Sequence, residues 1–168
     1  TINARLAPVE HAAALQDCGE RLVIADAATA PALADVLPAG ARMVILGPDY
    51  EAFLAQAPVA ETLPAVAEWD VWTIPYTSGT TGRPKGVLLP HRSRMLLALV
   101  CAAEFGCFGP DDSFLAITPL NHGGGLGLAA AALATGGTVE LMDRFEPLAM
   151  LERLHAGGIS GLFMVPTH

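Results

Sequence analysis

Residues 76–86, YTSGTTGRPKG, place hydroxyl, glycine and cationic side chains in one short segment. The segment follows an apolar run of strand length, 71–76, and precedes a shorter one, 87–89. Glycines allow the backbone to approach an anion closely, hydroxyl groups donate hydrogen bonds, and successive backbone N–H groups form an anion-binding concavity. The segment therefore predicts a loop between two strands that binds phosphate groups.

The spacing within this loop excludes an ordinary P-loop nucleotide hydrolase, whose motif ends in Gly-Lys-Ser/Thr. Here Lys85 lies three residues beyond Gly82 and is followed by Gly86. Lys85 is the single lysine of the chain, since the other basic residues are all arginine. A lysine is a compact charge with three donors, which suits a phosphate group on which charge develops.

The distribution of charge also favours an anionic ligand at this loop. The formal net charge of the chain is −8, yet residues 71–110 carry a net positive charge and the remainder is strongly acidic. Such a pattern focuses an anion on a local site. A general nucleic-acid binder is disfavoured, because it needs lysine and arginine over a wide face.

Composition and patterning predict an α/β fold with mostly parallel sheets flanked by helices. Hydrophobic residues make up 52% of the chain and charged residues 15%, which excludes a disordered protein. Strand-length apolar runs alternate with helix-length segments, as in crossover units of a parallel sheet. The predicted helices cover 8–18, 30–37, a stretch after 49, 91–105, 125–134 and 146–155, and the predicted strands cover 21–25, 41–46, 71–76, 87–89, 113–118, 138–142 and 159–165. Apolar residues surround the helix 91–105, so we expect it to be mostly buried.

No apolar stretch reaches the ~20 residues needed to cross a bilayer, and no basic-then-apolar leader pattern opens the chain. We therefore expect a cytoplasmic protein without a membrane span. The three cysteines lack the spacing of a metal site, so no metal-binding residue is predicted. His11, in a helix expected to be exposed, and the histidines at 91, 155 and 168 receive no role.

The complete string 76–86 resembles the phosphate-loop signature of the adenylate-forming superfamily, which includes acyl- and aryl-CoA ligases, adenylation domains of nonribosomal peptide synthetases and luciferases. The likeness extends more loosely to residues 3–26 and 145–166. It implies that the loop holds the β- and γ-phosphates of ATP and the departing pyrophosphate, with Lys85 as the catalytic residue. The phosphate-binding residues that the resemblance implies are Thr77, Ser78, Gly79, Thr80, Thr81, Gly82, Lys85 and Gly86.

Residues 118–125, TPLNHGGG, resemble the second signature of this superfamily, in which Pro, Leu, an aromatic residue and His precede glycines. The resemblance implies that His122, Gly123 and Gly124 bind the acyl substrate. Asn121 stands where the aromatic residue is usual, which predicts a more polar pocket. No Asp or Glu lies between Ser113 and Glu140 to hold the ammonium group of an amino acid. We therefore favour a carboxylic acid with a neutral tail.

The resemblance implies an ATP-dependent carboxylate–CoA ligase of fatty or aromatic acid metabolism, in which the acid attacks the α-phosphate to form an acyl-adenylate and then an acyl-CoA thioester. ATP and coenzyme A would be substrates, and Mg²⁺ would be held by residues outside this chain. Two alternatives stay open. One is an adenylation domain that loads a carrier protein, and the other is a truncated, non-catalytic nucleotide-binding protein.

Later signatures of the superfamily do not occur in the chain: the Tyr-Gly-x-Thr-Glu segment, the ribose-binding Asp, the hinge and the C-terminal lysine. We therefore expect an incomplete part of the large N-terminal domain, inactive alone and without the C-terminal domain. Its first α/β segment would cover 1–70, and a phosphate-loop and acyl-site segment would cover 71–168. A homodimer is one open possibility for the oligomeric state.

Overall fold

The computed structural model describes residues 2–3, 5–19, 21–58, 64–77, 85–166 and 168. Helices and strands alternate along much of the chain, which confirms the predicted α/β class. The helices are α1 (Pro8–Cys18), α2 (Ala30–Ala34), α3 (Pro48–Ala55), α4 (His91–Glu104), α5 (Gly123–Ala134) and α6 (Pro147–His155). The strands are β1 (Leu22–Ala25), β2 (Arg42–Ile45), β3 (Val71–Thr73), β4 (Tyr76–Thr77), β5 (Lys85–Gly86), β6 (Leu89–Pro90), β7 (Ser113–Ala116), β8 (Thr138–Leu141) and β9 (Gly161–Leu162).

The chain divides into two compact units. The first unit comprises residues 2–66 and 76–87, and the second comprises 67–75 and 88–168. Each unit has hydrophobic cores of its own. The expected division into segments 1–70 and 71–168 stays a prediction about the domains of the protein.

The first unit is built on a parallel pair of strands, β1 and β2, with Leu22 opposite Arg42 and Ala25 opposite Ile45. Helix α1 begins at a proline, whose fixed φ suits a first turn. It ends before Gly19, which takes a left-handed φ of 66° that favours glycine. The core of this unit lies under the helices, and its buried members are Leu15, Val23, Ala25, Ala30 and Leu33.

The second unit contains a three-stranded parallel sheet in the order β8-β7-β9. Successive residues of the central strand enter two different cores. Phe114 and Ala116 belong to the core that contains residues of α4 and α5, whereas Leu115 belongs to the core that contains Met150 of α6. A strand covered on both faces is a continuous apolar run, which explains why β7 was recognisable in the sequence.

The predicted strand 71–76 is wrong in one respect, because Pro75 interrupts it. Proline has no N–H to donate to a ladder, and the run separates into β3 and β4, which join different sheets. β3 pairs antiparallel with β6, and β4 pairs antiparallel with β5. The predicted strand 87–89 is likewise replaced by β5 and β6, on either side of residues 87–88.

Helix α4 is less buried than expected. Its buried residues are Ala98 and Cys101, which belong to the core that α5 shares. Leu99 and Val100 are 60% and 54% exposed, so an apolar perimeter did not mean burial on all sides here. Neither α4 nor any other helix in the described ranges has the length and apolarity that crossing a membrane requires.

Candidate functional site

An antiparallel hairpin forms the base of the predicted phosphate loop. Tyr76 pairs with Gly86 and Thr77 pairs with Lys85, so β4 and β5 bring the two ends of the loop side by side. The hydroxyl of Thr77 donates to the carbonyl oxygen of Lys85 at 3.4 Å. The side chains of Thr77 and Lys85 are both exposed, and a cation that faces solvent is available to an anionic ligand.

The middle of the predicted loop lies outside the described residues. These positions are Ser78, Gly79, Thr80, Thr81, Gly82, Arg83 and Pro84. The structure therefore places three of the predicted phosphate-binding residues, Thr77, Lys85 and Gly86, in the paired strands β4 and β5.

Tyr76 attaches the hairpin to α1. Its hydroxyl donates to Oδ2 of Asp17 at 2.8 Å and lies 3.3 Å from the carbonyl oxygen of Ala14. Burial, and then the hydrogen bond to Asp17, raise the pKa of the Tyr76 phenol above its ordinary value. The link connects residues 59 positions apart in the chain, and no local sequence pattern signals it.

The turn after β7 holds the residues predicted for the acyl substrate. In open parallel sheets, ligands bind beyond the carboxyl ends of the strands, and this turn follows such an end. His122 is the N-cap of α5, its N–H donates to the carbonyl oxygen of Pro119 at 3.1 Å, and its carbonyl accepts from Leu126 at 3.0 Å. His122, Gly123 and Gly124 are consecutive and exposed.

Two glycines of α5 allow unusually close packing at this turn. A Cβ on Gly125 would lie 2.6 Å from the carbonyl oxygen of Pro119 and 2.8 Å from that of Thr118. A Cβ on Gly124 would lie 2.9 Å from the ring of Phe163. The hydroxyl of Thr118 donates to the carbonyl oxygen of Phe163 at 3.1 Å and ties the turn to the chain after β9.

A pocket opens at this turn within the second unit. The polar groups that line it come from Thr73, Arg94, Asn121 and His122. None of the described lining residues is a carboxylate, which agrees with the absence of acidic residues between 113 and 140.

Arg94 is the lining residue to which sequence reasoning gave no individual role. Its Nε is buried and has no hydrogen-bond partner among the described residues. The guanidinium carbon lies 5.7 Å from the centroid of the Trp72 ring, within the range of a cation–π contact. Burial lowers the pKa of Arg94. The available signal was an arginine four residues before Ala98, directly before the apolar stretch 95–103 of the helix.

No group of three or more His, Cys, Asp or Glu side chains suited to a metal ion occurs in the part of the chain that the structure describes. The described ionic contacts instead join structural elements. Arg153 of α6 donates to both carboxylate oxygens of Glu140 on β8 and, at 2.7 Å, to the carbonyl oxygen of Gly157. Its hydrogen bond lowers the pKa of Glu140.

Comparison with known proteins identifies the family. The family model described as AMP-binding enzyme matches residues 1–168. The chain is 36% identical to 3-[(3aS,4S,7aS)-7a-methyl-1,5-dioxo-octahydro-1H-inden-4-yl]propanoyl:CoA ligase of Mycobacterium tuberculosis, over 96% of this chain and 32% of that protein. It is 34% identical to 2-succinylbenzoate–CoA ligase of Geobacillus kaustophilus, over 97% of this chain and 32% of that protein.

Among solved structures, ATP-bound MatB from Rhodopseudomonas palustris superposes with a TM-score of 0.80 at 28% identity, over 92% of this chain and 32% of that one. The chain thus spans about a third of the length of these relatives. The match of the family model over the whole sequence, together with the hairpin and the turn described above, shows that the chain belongs to the AMP-binding enzyme family.

Proposed function

We propose that the full-length protein is an AMP-forming acid–thiol ligase, which activates a carboxylic acid with ATP and transfers the acyl group to coenzyme A. Membership of the AMP-binding enzyme family supports this activity, and the relatives named above are CoA ligases. The observation that carries the proposal is the β4–β5 hairpin, which sets Lys85 and Thr77 side by side at the base of the phosphate loop.

In the proposed first step, a carboxylate oxygen of the acid attacks the α-phosphorus of ATP and pyrophosphate departs. Lys85 would neutralise charge on the leaving pyrophosphate, and the loop 77–86 would hold the β- and γ-phosphates. Catalysis of this kind rests on positioning and electrostatic stabilisation more than on covalent chemistry by the protein. The thiol of coenzyme A would then displace AMP from the acyl-adenylate and leave the acyl thioester.

On the acyl side, we propose that His122, Gly123 and Gly124 line the site of the acid. The exposed turn at the end of β7 and the pocket beside it support this assignment. Because no described lining residue is a carboxylate, the pocket offers no counter-charge to the ammonium group of an amino acid. The pocket thus supports a CoA ligase over an amino-acid adenylation domain.

We propose Mg²⁺ as the partner of the ATP phosphates. The described residues contain no acidic cluster of their own for it. Oxygen ligands and substrate phosphates are the usual partners of this ion, and the hydroxyl-rich loop 77–86 would present the phosphates to it.

The test is the substitution Lys85→Ala in the full-length protein. Loss of a hydrogen bond to a charged group costs about 1.5–3 kcal/mol, which corresponds to roughly a 10- to 150-fold slower adenylation step. Acid-dependent pyrophosphate release in a single turnover measures this step directly. Lys85→Arg should recover part of the rate, because it restores the charge without the compact shape of lysine.

Arg21→Ala is the matched control, because it removes an exposed cation from the start of β1 in the same unit. We expect this variant to release pyrophosphate at the wild-type rate. Equal rates for wild type and Lys85→Ala, with both proteins folded, would contradict the role of Lys85. The absence of pyrophosphate release from wild-type protein with every acid tested would contradict the ligase assignment itself.

A further inference from the structure

We propose that Arg94 recognises a second, negatively charged group on the carboxylic acid substrate, distinct from the carboxylate that is activated. The inference rests on the proposed ligase function and assigns its substrate class. It replaces the expectation of a neutral tail, which rested on the absence of Asp and Glu between Ser113 and Glu140.

The Nε atom of Arg94 has lost water without gaining a hydrogen-bond acceptor among the described residues. Arg94 is partly buried in the first half of α4. Its Nε is inaccessible to solvent and has no partner among the described residues. The ion pairs found in the described part of the chain belong to Arg92, Arg144 and Arg153. A buried polar group without a partner is costly, so such a group in a native structure calls for an explanation.

The guanidinium is held in place by packing. Trp72 lies beside it on β3, with 5.7 Å between the guanidinium carbon and the ring centroid. On α5, Gly127 leaves the space that the side chain occupies, since a Cβ there would lie 2.9 Å from Nη1 of Arg94 and 3.1 Å from Cδ2 of Leu97. Packing of this kind fixes a planar fork of donors, which is the geometry that binds a carboxylate in a bidentate manner.

The described residues that line the pocket around Arg94 supply hydrogen-bond donors and no counter-charge. Asn121 and His122 line the same pocket as Arg94, at the turn predicted to hold the acyl substrate. The carboxamide of Asn121 can donate to an anion, as can a ring nitrogen of His122. An uncompensated cation beside neutral donors is complementary to an anion and repels an ammonium group.

Arg92, two residues earlier on α4, has the acidic partner that Arg94 lacks among the described residues. Arg92 pairs with Glu68, and both side chains are about half exposed, at 45% and 53%. Its guanidinium also lies over an aromatic ring, at 5.4 Å from the centroid of Trp69. Each arginine thus lies against a tryptophan of its own, and Arg94 differs in lining the pocket without an acidic partner among the described residues.

The experiment compares acids that differ only in a second charge. Acid-dependent pyrophosphate release by the full-length protein, without coenzyme A, is measured for each acid of matched pairs: glutarate with its monomethyl ester, and isophthalate with its monomethyl ester. Leaving out coenzyme A separates recognition of the acid from recognition of the phosphates of coenzyme A. We expect kcat/KM to be at least tenfold higher for the diacid of at least one pair.

The variant Arg94→Met should abolish this preference by lowering kcat/KM for the diacid by a larger factor than kcat/KM for the monoester, because methionine keeps an apolar stem of similar length but carries no charge. Arg94→Lys should retain part of the preference, since the charge remains but the fork is lost. Arg92→Met is the matched control, because it removes an arginine from the same helix that does not line the pocket. Its preference for the diacid over the monoester should equal that of the wild type. Thermal unfolding of each variant reports whether it is folded.

Three outcomes overturn the role of Arg94 while the ligase proposal survives. The first is acid-dependent pyrophosphate release by wild-type protein with no preference for either diacid. The second is an equal loss of kcat/KM for diacid and monoester in folded Arg94→Met, and the third is a change in the KM for ATP alone in that variant. If no acid of either kind releases pyrophosphate, the ligase proposal and the inference that rests on it both fail.

Discussion

At the scale of single residues, the phenol of Tyr76 is the contact that fixes the start of the phosphate loop. Its hydroxyl donates to Asp17 on α1 at 2.8 Å, immediately before the pairing of Thr77 with Lys85. The hydrogen bond positions β4 without itself touching a ligand. Removal of this hydrogen bond should therefore lower the stability of the protein. It should affect the loop only indirectly, through the position of the hairpin.

We predict that Tyr76→Phe lowers the free energy of unfolding by about 0.5–1.5 kcal/mol, the usual net value of one hydrogen bond. Urea unfolding at neutral pH measures the change. Tyr50→Phe is the control, because Tyr50 is the other tyrosine of the chain and donates no hydrogen bond within the described residues. An equal effect of the two substitutions would show that the contact with Asp17 contributes nothing.

The pH dependence of stability gives a second test of the environment of Tyr76, whose pKa is raised by burial and by the hydrogen bond to Asp17. The pKa of Tyr76 is raised in the folded protein, so the native state holds the phenolic proton more tightly than the unfolded chain does. The stabilisation is complete below the ordinary tyrosine pKa of about 10 and is lost as the pH rises toward the higher pKa of the folded state. The stability difference between wild type and Tyr76→Phe should thus narrow above about pH 10.

The sequence indicated some of these residues and not others, for a physical reason. Lys85 was recognisable because its neighbours form a contiguous motif. Asp17 lies 59 residues before Tyr76, and Arg94 lines its pocket beside residues 73 and 121–122. Such non-local contacts depend on packing, which leaves no pattern in either segment alone. The burial of His11, which is 2% exposed, was missed for the same reason.

At the scale of elements, the position of α5 depends on glycines at its first turn. Gly125 lies against the carbonyl oxygens of Thr118 and Pro119, whereas nothing lies within 4 Å of a Cβ on Gly123. Glycine usually weakens a helix relative to alanine. At Gly125 the close approach of another backbone segment requires a glycine, whereas at Gly123 no such contact requires one.

We predict opposite effects of the same substitution at these two positions. Gly125→Ala should destabilise the protein by about 1–3 kcal/mol, because backbone atoms must move to admit the new methyl group. Gly123→Ala should change stability by less than about 1 kcal/mol, and in the stabilising direction. The midpoints of thermal unfolding measure both effects, and a Gly125→Ala protein as stable as the wild type would contradict the close packing.

The boundaries of elements were predicted best where local chemistry sets them. Pro8 and Gly19 delimit α1 in the structure as they did in the sequence. The prediction of one strand over 71–76 missed the interruption at Pro75. The sequence alone does not show that the residues on either side of Pro75 pair with different strands. The burial of α4 was overestimated because periodicity indicates which residues are apolar and does not indicate which of them meet a neighbouring element.

At the scale of the whole molecule, the chain spans about a third of the length of its relatives. It contains the loop proposed to bind the phosphates of ATP and the turn proposed to bind the acid. Holding two reactants in line supplies roughly 7–11 kcal/mol of the rate enhancement in well-oriented reactions. The superfamily resemblance implies an adenine-binding segment, a ribose-binding Asp and a C-terminal lysine, which do not occur among these 168 residues.

We therefore predict that the 168-residue polypeptide alone gives no acid-dependent pyrophosphate release above background with ATP, whereas the full-length protein does. The comparison uses equal concentrations and the same acids, and circular dichroism of the shorter polypeptide establishes that it is folded. Release by the folded 168-residue polypeptide at a rate close to that of the full-length protein would contradict this prediction.

The central place of β7 in its sheet has a consequence for how the specificity of this protein can evolve. Parallel partners on both sides and apolar cores on both faces leave the strand little freedom to bend. The turn at its end rests on that framework. If the turn binds the acid as proposed, exchange of side chains at positions such as 94 and 121 would change selectivity and leave the strand beneath them unaltered.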